Sequence, residues 1–383
     1  MFKLIRGGRI FSPDNLGVKD VLIINDKIYL MDDQILTGNI PWNMEVYDAC
    51  GKMILPGIVD PHVHIVGAGG SGGLNSRNKE IDIEQIIDAG VTTVVGCLGF
   101  DRTSRNLKNL LMKARALEKL GLTAYMLSGS YSLPSLTLTG SIEEDLILID
   151  KVIGVKLALG ETLANWPDER DIKNLLAECL RGGHLGEKPG FLQIHLGANG
   201  KVWKKILLGI LQETQVPFSR VIFTHVNRSL DTFEEFADYV KKGGYIDLTT
   251  SFTPAERPGS LPVLECIERL VSEQLPLDHV TLSSDSNATR ILPDKTLKYL
   301  PVKTIFEVTR DLCKSRVVPM EKAISLVTRN TANAIGCGEK KGSLAVGKDA
   351  DVIILNEAFE LEAVLIKGKW AKKNGITLIK DPF

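Results

Sequence analysis

The sequence predicts an α/β protein: a (β/α)8 TIM barrel with a small β-sandwich-like domain assembled from both termini. Three observations carry this reading. Eight short apolar runs alternate with amphipathic stretches between about residues 52 and 335, as parallel βα units do. Eight units in roughly 280 residues match the count and size of a closed barrel, which favours it over an open doubly wound sheet, the competing layout. The two ends, by contrast, show strand patterns and no useful helical period.

Residues 1–51 form the first part of the small β-domain. Val18 to Ile24 is apolar, Asn25-Asp26 is a turn signal, and Lys27 to Met31 continues the strand pattern. Residues 52–338 form the barrel. Its strand candidates are Ile58–Ile65, Thr92–Leu98, Thr123–Leu127 and Ile153–Leu159, then Phe191–Leu196, Val221–His225, Tyr245–Thr249 and Val280–Ser284. Helical stretches lie between them at Asn106–Leu120, Asp171–Leu180, Val202–Glu213, Asp231–Lys241 and Val263–Ser272, with a weak one near Ile142–Asp150. Residues 339–383 return to strands, at Asp351–Leu355, Leu361–Ile366 and Lys369–Lys372, punctuated by Gly347, Gly368 and Gly375. Neither end alone has enough strands to bury a sheet face, so the two ends share one domain.

Composition narrows the function. A formal net charge of −1 argues against a nucleic-acid binder, which normally presents a basic face. The start, MFKLIRGGRIFSPD, has no apolar core for a signal peptide, and no run approaches the roughly 18 apolar residues of a membrane span. Six cysteines are scattered without a CxxC, in or beside apolar segments. They read as buried free thiols rather than a disulfide framework or a zinc knuckle. A cytoplasmic protein acting on a small molecule, with neither nucleic-acid nor membrane partner, is the expectation. The glycine-rich stretch Gly67–Gly73 lacks a Gly-Lys-Ser/Thr ending and does not match GxGxxG, so it reads as a close-approach loop and not a nucleotide site.

Chemistry concentrates at strand ends. His62 and His64 are two apart on the first barrel strand, so both project to one face. Alone, such a pair suits satisfied strand-end histidines as well as half a metal site. Lys156 lies within the fourth strand, His195 on the fifth, His225 on the sixth and Asp285 after the eighth. Four of the six histidines thus fall where a barrel builds its active site. His184, in a helix-to-strand connection, and His279, at the start of the last strand, belong to the opposite rim. A lysine inside an apolar strand needs an explanation. It either pairs with a buried carboxylate, or is kept neutral by burial and nearby cations. A neutral amine can add carbon dioxide to become a bidentate carbamate.

This set resembles the binuclear amidohydrolase superfamily, whose flanking segments LPGIVDPHVH and KDADVIIL are also present. The closest resemblance is to the isoaspartyl dipeptidases, carried by AGVTTVVGCLG, SGSYSLPSLTLTGSIEEDLILIDKVIGVK, THVNRS and VTLSSDSN. It implies two zinc ions: one held by His62, His64 and Asp285, the other by His195 and His225, bridged by carbamylated Lys156 and a hydroxide. It also implies that Asp285 shuttles the proton, that Tyr131 hydrogen-bonds the substrate carbonyl, and that Arg228 binds a substrate carboxylate. Known members are homo-oligomers.

The chain departs from that family in substrate recognition. Thr289 stands where a serine contacts the other carboxylate. Ser71 replaces a glutamate that binds the substrate's free α-amino group, and Leu163 replaces a second carboxylate-binding arginine. Arg77, Lys79, Glu161 and Arg290 are nearby in sequence and could compensate. The expectation is therefore amide hydrolysis of the isoaspartyl-dipeptidase type. N-acyl amino acids and cyclic amides of the dihydroorotase or hydantoinase kind are alternative substrates. A non-catalytic scaffold on the same fold is the rival of another class.

Overall fold

The computed structural model describes residues 2–36, 38, 43–70 and 72–381. At the N-terminus β1 (Phe2–Phe11), β2 (Asn15–Ile24), β3 (Lys27–Asp32), β4 (Met44–Asp48) and β5 (Met53–Pro56) belong to one sheet. Gly57 then passes the chain directly into β6 (Ile58–Val63). A Cβ there would lie 2.2 Å from Thr92 Oγ1, so no larger residue fits between the two sheets.

From β6 the chain winds through β7 (Val91–Gly96), β8 (Thr123–Gly129), β9 (Val152–Leu159), β10 (Phe191–Leu196), β11 (Val221–Thr224), β12 (Tyr245–Thr249) and β13 (Val280–Ser283). Neighbours pair in parallel and in sequence order. A bridge from Val63 to Ser286, with the His64 N–H donating to the Ser286 carbonyl at 3.0 Å, joins the last strand to the first at the mouth. This is a (β/α)8 barrel. Every residue of these strands except Tyr125 is buried, because helices cover the outside and side chains fill the inside.

The covering helices are α1 (Ile83–Ile87), α2 (Leu107–Lys119), α3 (Ile142–Leu148), α4 (Glu169–Leu185), α5 (Trp203–Thr214), α6 (Leu230–Phe236), α7 (Val263–Ser272) and α8 (Thr304–Ser315), followed by α9 (Met320–Ser325) and α10 (Arg329–Ala334). In α4, Ile172, Leu175, Leu176 and Cys179 form the buried stripe. A capping box starts this helix: Asp171 N–H donates to Asp168, and Asp168 N–H donates back to Asp171. The helix therefore begins earlier and ends later than its apolar period suggests. His184 falls in its last turn rather than in the following connection. α1 is one short turn, and its Ile83 N–H donates to the Asp381 carboxylate at 2.8 Å, so the chain's end caps the first barrel helix.

After β13 a hairpin, β14 (Thr289–Ile291) with β15 (Leu297–Tyr299), folds over the mouth. The C-terminal strands β16 (Val352–Leu355), β17 (Leu361–Ile366), β18 (Lys369–Lys373) and β19 (Ile376–Thr377) pair back onto β5, so both termini build one nine-stranded sheet. All six cysteines are free; Cys50 is exposed, against the expectation of burial, because it sits in the turn between β4 and β5. Among the described residues no helix is long and apolar enough to cross a membrane.

Candidate active site

The C-terminal ends of five barrel strands deliver the six residues singled out by the sequence to one mouth. His62 and His64 come from the end of β6, Lys156 from β9 and His195 from β10. His225 follows β11, and Asp285 follows β13. Lys156 Nζ is 3.0 Å from His62 Nε2. Asp285 Oδ1 lies 3.3 Å from His64 Nε2 and 3.7 Å from His62 Nε2. The His225 ring packs edge-on against His62 at 5.0 Å and His195 at 4.5 Å between centroids. His225 and Asp285 both adopt left-handed backbone, with φ of +67° and +50°. Non-glycine residues rarely accept that conformation, and here it occurs just after β11 and β13, at two ends of strands that face the same mouth.

Two details suit a metal. His225 is fully buried; its Nδ1 contacts Thr249 Oγ1 at 2.6 Å while its Nε2 has no hydrogen-bond partner. A threonine that takes one ring nitrogen orients the ring and leaves the other lone pair to be satisfied, as a metal ligand requires. Among the described residues, ligand atoms of His62, His225 and Asp285 lie within 4.8 Å of one another, as do those of His62, His64 and Cys97. The charge states suit a cation at His195 and His225. Burial, then the Arg228 charge, holds His195 down to about 3, and burial holds His225 well below the usual imidazole range, so both remain neutral. Burial lowers the His64 imidazole, but Cys97 and Asp285 outweigh it and raise it to about 9, so His64 must give up a proton to bind a cation. Burial pushes the Asp285 carboxyl up, but the facing imidazoles outweigh it and keep the carboxylate ionised.

Lys156 makes no ion pair with a carboxylate among the described residues; it contacts His62 and, at 3.3 Å, Cys97 Sγ. The carboxylate-paired explanation for this lysine therefore lacks its partner.

The site opens into a cavity of about 310 Å³. Tyr131 is at its wall, with Oη 3.5 Å from His195 Nε2. Burial raises its hydroxyl pKa, so it stays protonated. Arg228 donates to Glu161 at 2.9 Å, and Glu161 also approaches His195 Nε2 at 3.0 Å. Burial favours a neutral Glu161, but His195 and Arg228 prevail and bring it to about 2. Leu163 and Thr289 line the cavity too, Leu163 largely exposed and Thr289 with a buried, unpartnered hydroxyl. Ser71 lies outside the described residues. Of the four neighbours in sequence, Glu161 and Arg290 reach the cavity. Arg77 instead pairs with Asp101 and Lys79 with Asp82. The loop before Arg77 is fixed by close approach: at Gly69, with φ of +99°, a Cβ would lie 2.0 Å from the Ser76 carbonyl oxygen.

One cavity residue escaped the sequence reading. Arg257 lies beyond β12 with a buried Nε that has no partner. Its guanidinium sits 5.2 Å from the Phe252 ring, and that of Arg290 sits 5.0 Å from the same ring. The signal was a charged residue in a loop after a barrel strand, obscured because that strand ends in no histidine.

Comparison with known proteins agrees with this architecture. Residues 211–371 match the amidohydrolase family. The putative adenine deaminase OB0751 of Oceanobacillus iheyensis is 23% identical over 358 residues, covering 92% of this chain and 55% of that protein. The chain thus spans about half the length of that curated relative. Dihydropyrimidinase from Brevibacillus agri NCHU1002 shares the fold, with a TM-score of 0.67 at 17% identity over 99% of this chain and 96% of the other. The β-aspartyl dipeptidase of Fervidobacterium islandicum AW-1, solved in complex with a β-Asp-Leu dipeptide, superposes with a TM-score of 0.91 at 35% identity. That match covers 100% of both chains. With its identity and coverage added to the barrel and its mouth, the chain belongs to the amidohydrolase family.

Proposed function

We propose that this protein is a binuclear metal-dependent hydrolase of amide bonds, of isoaspartyl-dipeptidase type, acting on a small carboxylate-bearing substrate. The observation that carries this reading is the mouth itself: four imidazoles, the ionised Asp285 and one lysine with no carboxylate partner among the described residues, with the buried His225 Nε2 unsatisfied. His62, His64 and Asp285 would hold one cation, and His195 and His225 the other, with carbamylated Lys156 between them. When bound, two divalent cations such as zinc would supply an activated water and polarise the scissile carbonyl.

The remaining steps belong to the chain's own side chains. Asp285, ionised at neutral pH, accepts the proton of the attacking water and returns it to the leaving amine. Tyr131 Oη, protonated and beside His195, donates to the carbonyl oxygen as negative charge develops there. Arg228, whose Nη1 donates to Glu161 and whose Nη2 lies 3.0 Å from His195 Nε2, would turn this planar pair of donors to a substrate carboxylate on binding.

The cavity also indicates which amide is preferred. For the cation missing at Leu163, Arg257 would be the substitute, with Arg290 on the same Phe252 ring but paired with Glu256. The carboxylate missing at Ser71 has no evident substitute, because Glu161 is already held by Arg228, and Glu256 by Arg290 and Lys298. Arg228 and Arg290 are paired with those same carboxylates, so among the described residues the spare charge at the pocket is the Arg257 guanidinium. A spare cation without a spare carboxylate suits an anion lacking a free amine, and an N-acyl amino acid fits. The test is a panel of N-acyl amino acids, β-aspartyl dipeptides and cyclic amides on zinc-loaded protein. The expected result is a higher kcat/KM for the N-acyl amino acids. Preference for zwitterionic dipeptides would refute the substrate class, and preference for ring opening would move the reading to cyclic amides.

A further inference from the structure

Cys97 follows β7 at the barrel mouth and is fully buried. Its sulfur lies 3.3 Å from Lys156 Nζ and 3.9 Å from His64 Nδ1. No role for it follows from the ligand set described above. We propose that Cys97 is a metal ligand, its thiolate joining His62 and the Nδ1 of His64 on one cation of the centre, in the place given above to Asp285, which faces the other ring nitrogen of His64. The inference rests on the metal centre proposed above and adds a sulfur donor to it.

Three observations support the assignment. Ligand atoms of His62, His64 and Cys97 all fall within 4.8 Å of one another. In a tetrahedral zinc site with Zn–S of about 2.3 Å and Zn–N of about 2.1 Å, sulfur and nitrogen sit about 3.6 Å apart, close to the separation from His64. Second, the neighbouring His225 Nε2 is buried and unpartnered, so the same mouth already has a donor awaiting a cation. Third, the environment differs from that of Cys179 and Cys266, which pack in the hydrophobic layer between barrel and helices. Cys97 instead faces two imidazoles and an amine.

The chemistry is balanced simply. The thiol loses its proton to solvent as the sulfur–metal bond forms, and nothing is oxidised. A thiolate favours soft or borderline cations, so the centre should prefer zinc, cobalt or cadmium over manganese.

X-ray absorption at the zinc edge of the zinc-loaded wild-type protein tests the proposal without a variant. A sulfur shell near about 2.3 Å is expected. In the cobalt-loaded protein, a near-ultraviolet sulfur-to-cobalt charge-transfer band should appear and should be absent from Cys97→Ser and Cys97→Ala. Bound zinc with only nitrogen and oxygen neighbours would overturn the proposal while leaving the metal centre intact, and would make Cys97 a hydrogen-bonding partner of His64. A protein that binds no metal at all would overturn both. Should the variants fail to fold, the wild-type absorption spectrum still decides.

Discussion

Lys156 and Lys341 are both buried, at 1% and 4% exposure, in opposite surroundings. Lys341 sits where the barrel meets the terminal sheet and contacts two carboxylates, Asp351 at 2.5 Å and Asp349 at 2.8 Å. Those carboxylates are satisfied in turn: Lys27 donates to Asp349, and the Lys367 N–H donates to Asp351 at 2.7 Å. Lys156 has imidazoles, a thiol and the Tyr131 ring around it, the last at 5.6 Å. A buried ammonium is tolerated when compensated and is costly otherwise. The first lysine to be explained by structure alone is Lys341; Lys156 requires chemistry.

The contrast can be broken from either side. The largest effect is expected at the mouth. Lys156→Ala should lower activity by about 10²- to 10⁴-fold, the scale of losing a positioned catalytic group, with loss of binuclear metal loading and partial rescue by small carboxylic acids. Full metal content and full activity in that variant would exclude the carbamate. At the junction the outcome should reverse. Lys341→Met takes from Asp349 and Asp351 the buried cation they share, leaving them Lys27 and the Lys367 N–H, and should cost up to about 3–5 kcal/mol of stability in denaturant titration, while activity per folded molecule stays the same.

The pH responses should also differ. At the junction Asp349 is depressed, with burial opposing and Lys341 prevailing, and Lys341 is raised by its two carboxylates against its own burial. The stability these groups contribute is therefore present above the ordinary carboxylate range, is lost as pH falls through the lowered Asp349 value, and is lost at the alkaline end only above the ordinary lysine range. Within the barrel the sign changes. Burial raises Asp247 from 3.8 to about 6 although Ser283, Thr224 and Thr281 donate to it. Its unfolded form ionises first, so stability should fall as pH rises from about 4 to about 6, by up to about 3 kcal/mol. Asp247→Asn should reduce that slope in melts across the same range, Asp60, which burial raises to about 7, supplying the remainder, and an unaltered slope would assign it to Asp60 alone.

The smallest effect should fall on the cavity wall. Arg257→Met removes one charge-assisted contact, worth about 1.5–3 kcal/mol, and should raise KM for an N-acyl amino diacid by about 10- to 100-fold with kcat nearly unchanged. An equal fall in kcat would make Arg257 part of the transition-state machinery instead of a binding group.

Much of this was legible in the chain. The eight barrel strands coincide with their apolar runs because burial on both faces leaves near-continuous hydrophobic sequence. The histidines stood out because polar residues at the ends of such runs have few structural reasons to be there. Other features were hidden. The β14–β15 hairpin is too short and half-exposed for a clear period, although Pro293-Asp294 between its strands was a turn signal. Cys97 reads equally well as a core residue, since a cysteine ending an apolar strand has no polarity to betray it.

By itself, then, the sequence determined the barrel, the assembly of its two ends into one small β-domain, and the identity of six polar residues at strand ends. These follow from local periodicity and chain length. The single sheet of that domain came from the structure. Only the tertiary structure decided which polar side chains turn into the mouth: that Arg77 and Lys79 are spent on neighbouring aspartates, that Arg257 reaches the cavity from a loop past β12, that Lys156 meets no carboxylate among the described residues, and that Cys97 does meet the imidazoles. The physical reason is that a side chain's partner in a closed barrel comes from another strand, dozens of residues away, and burial sets the worth of that contact.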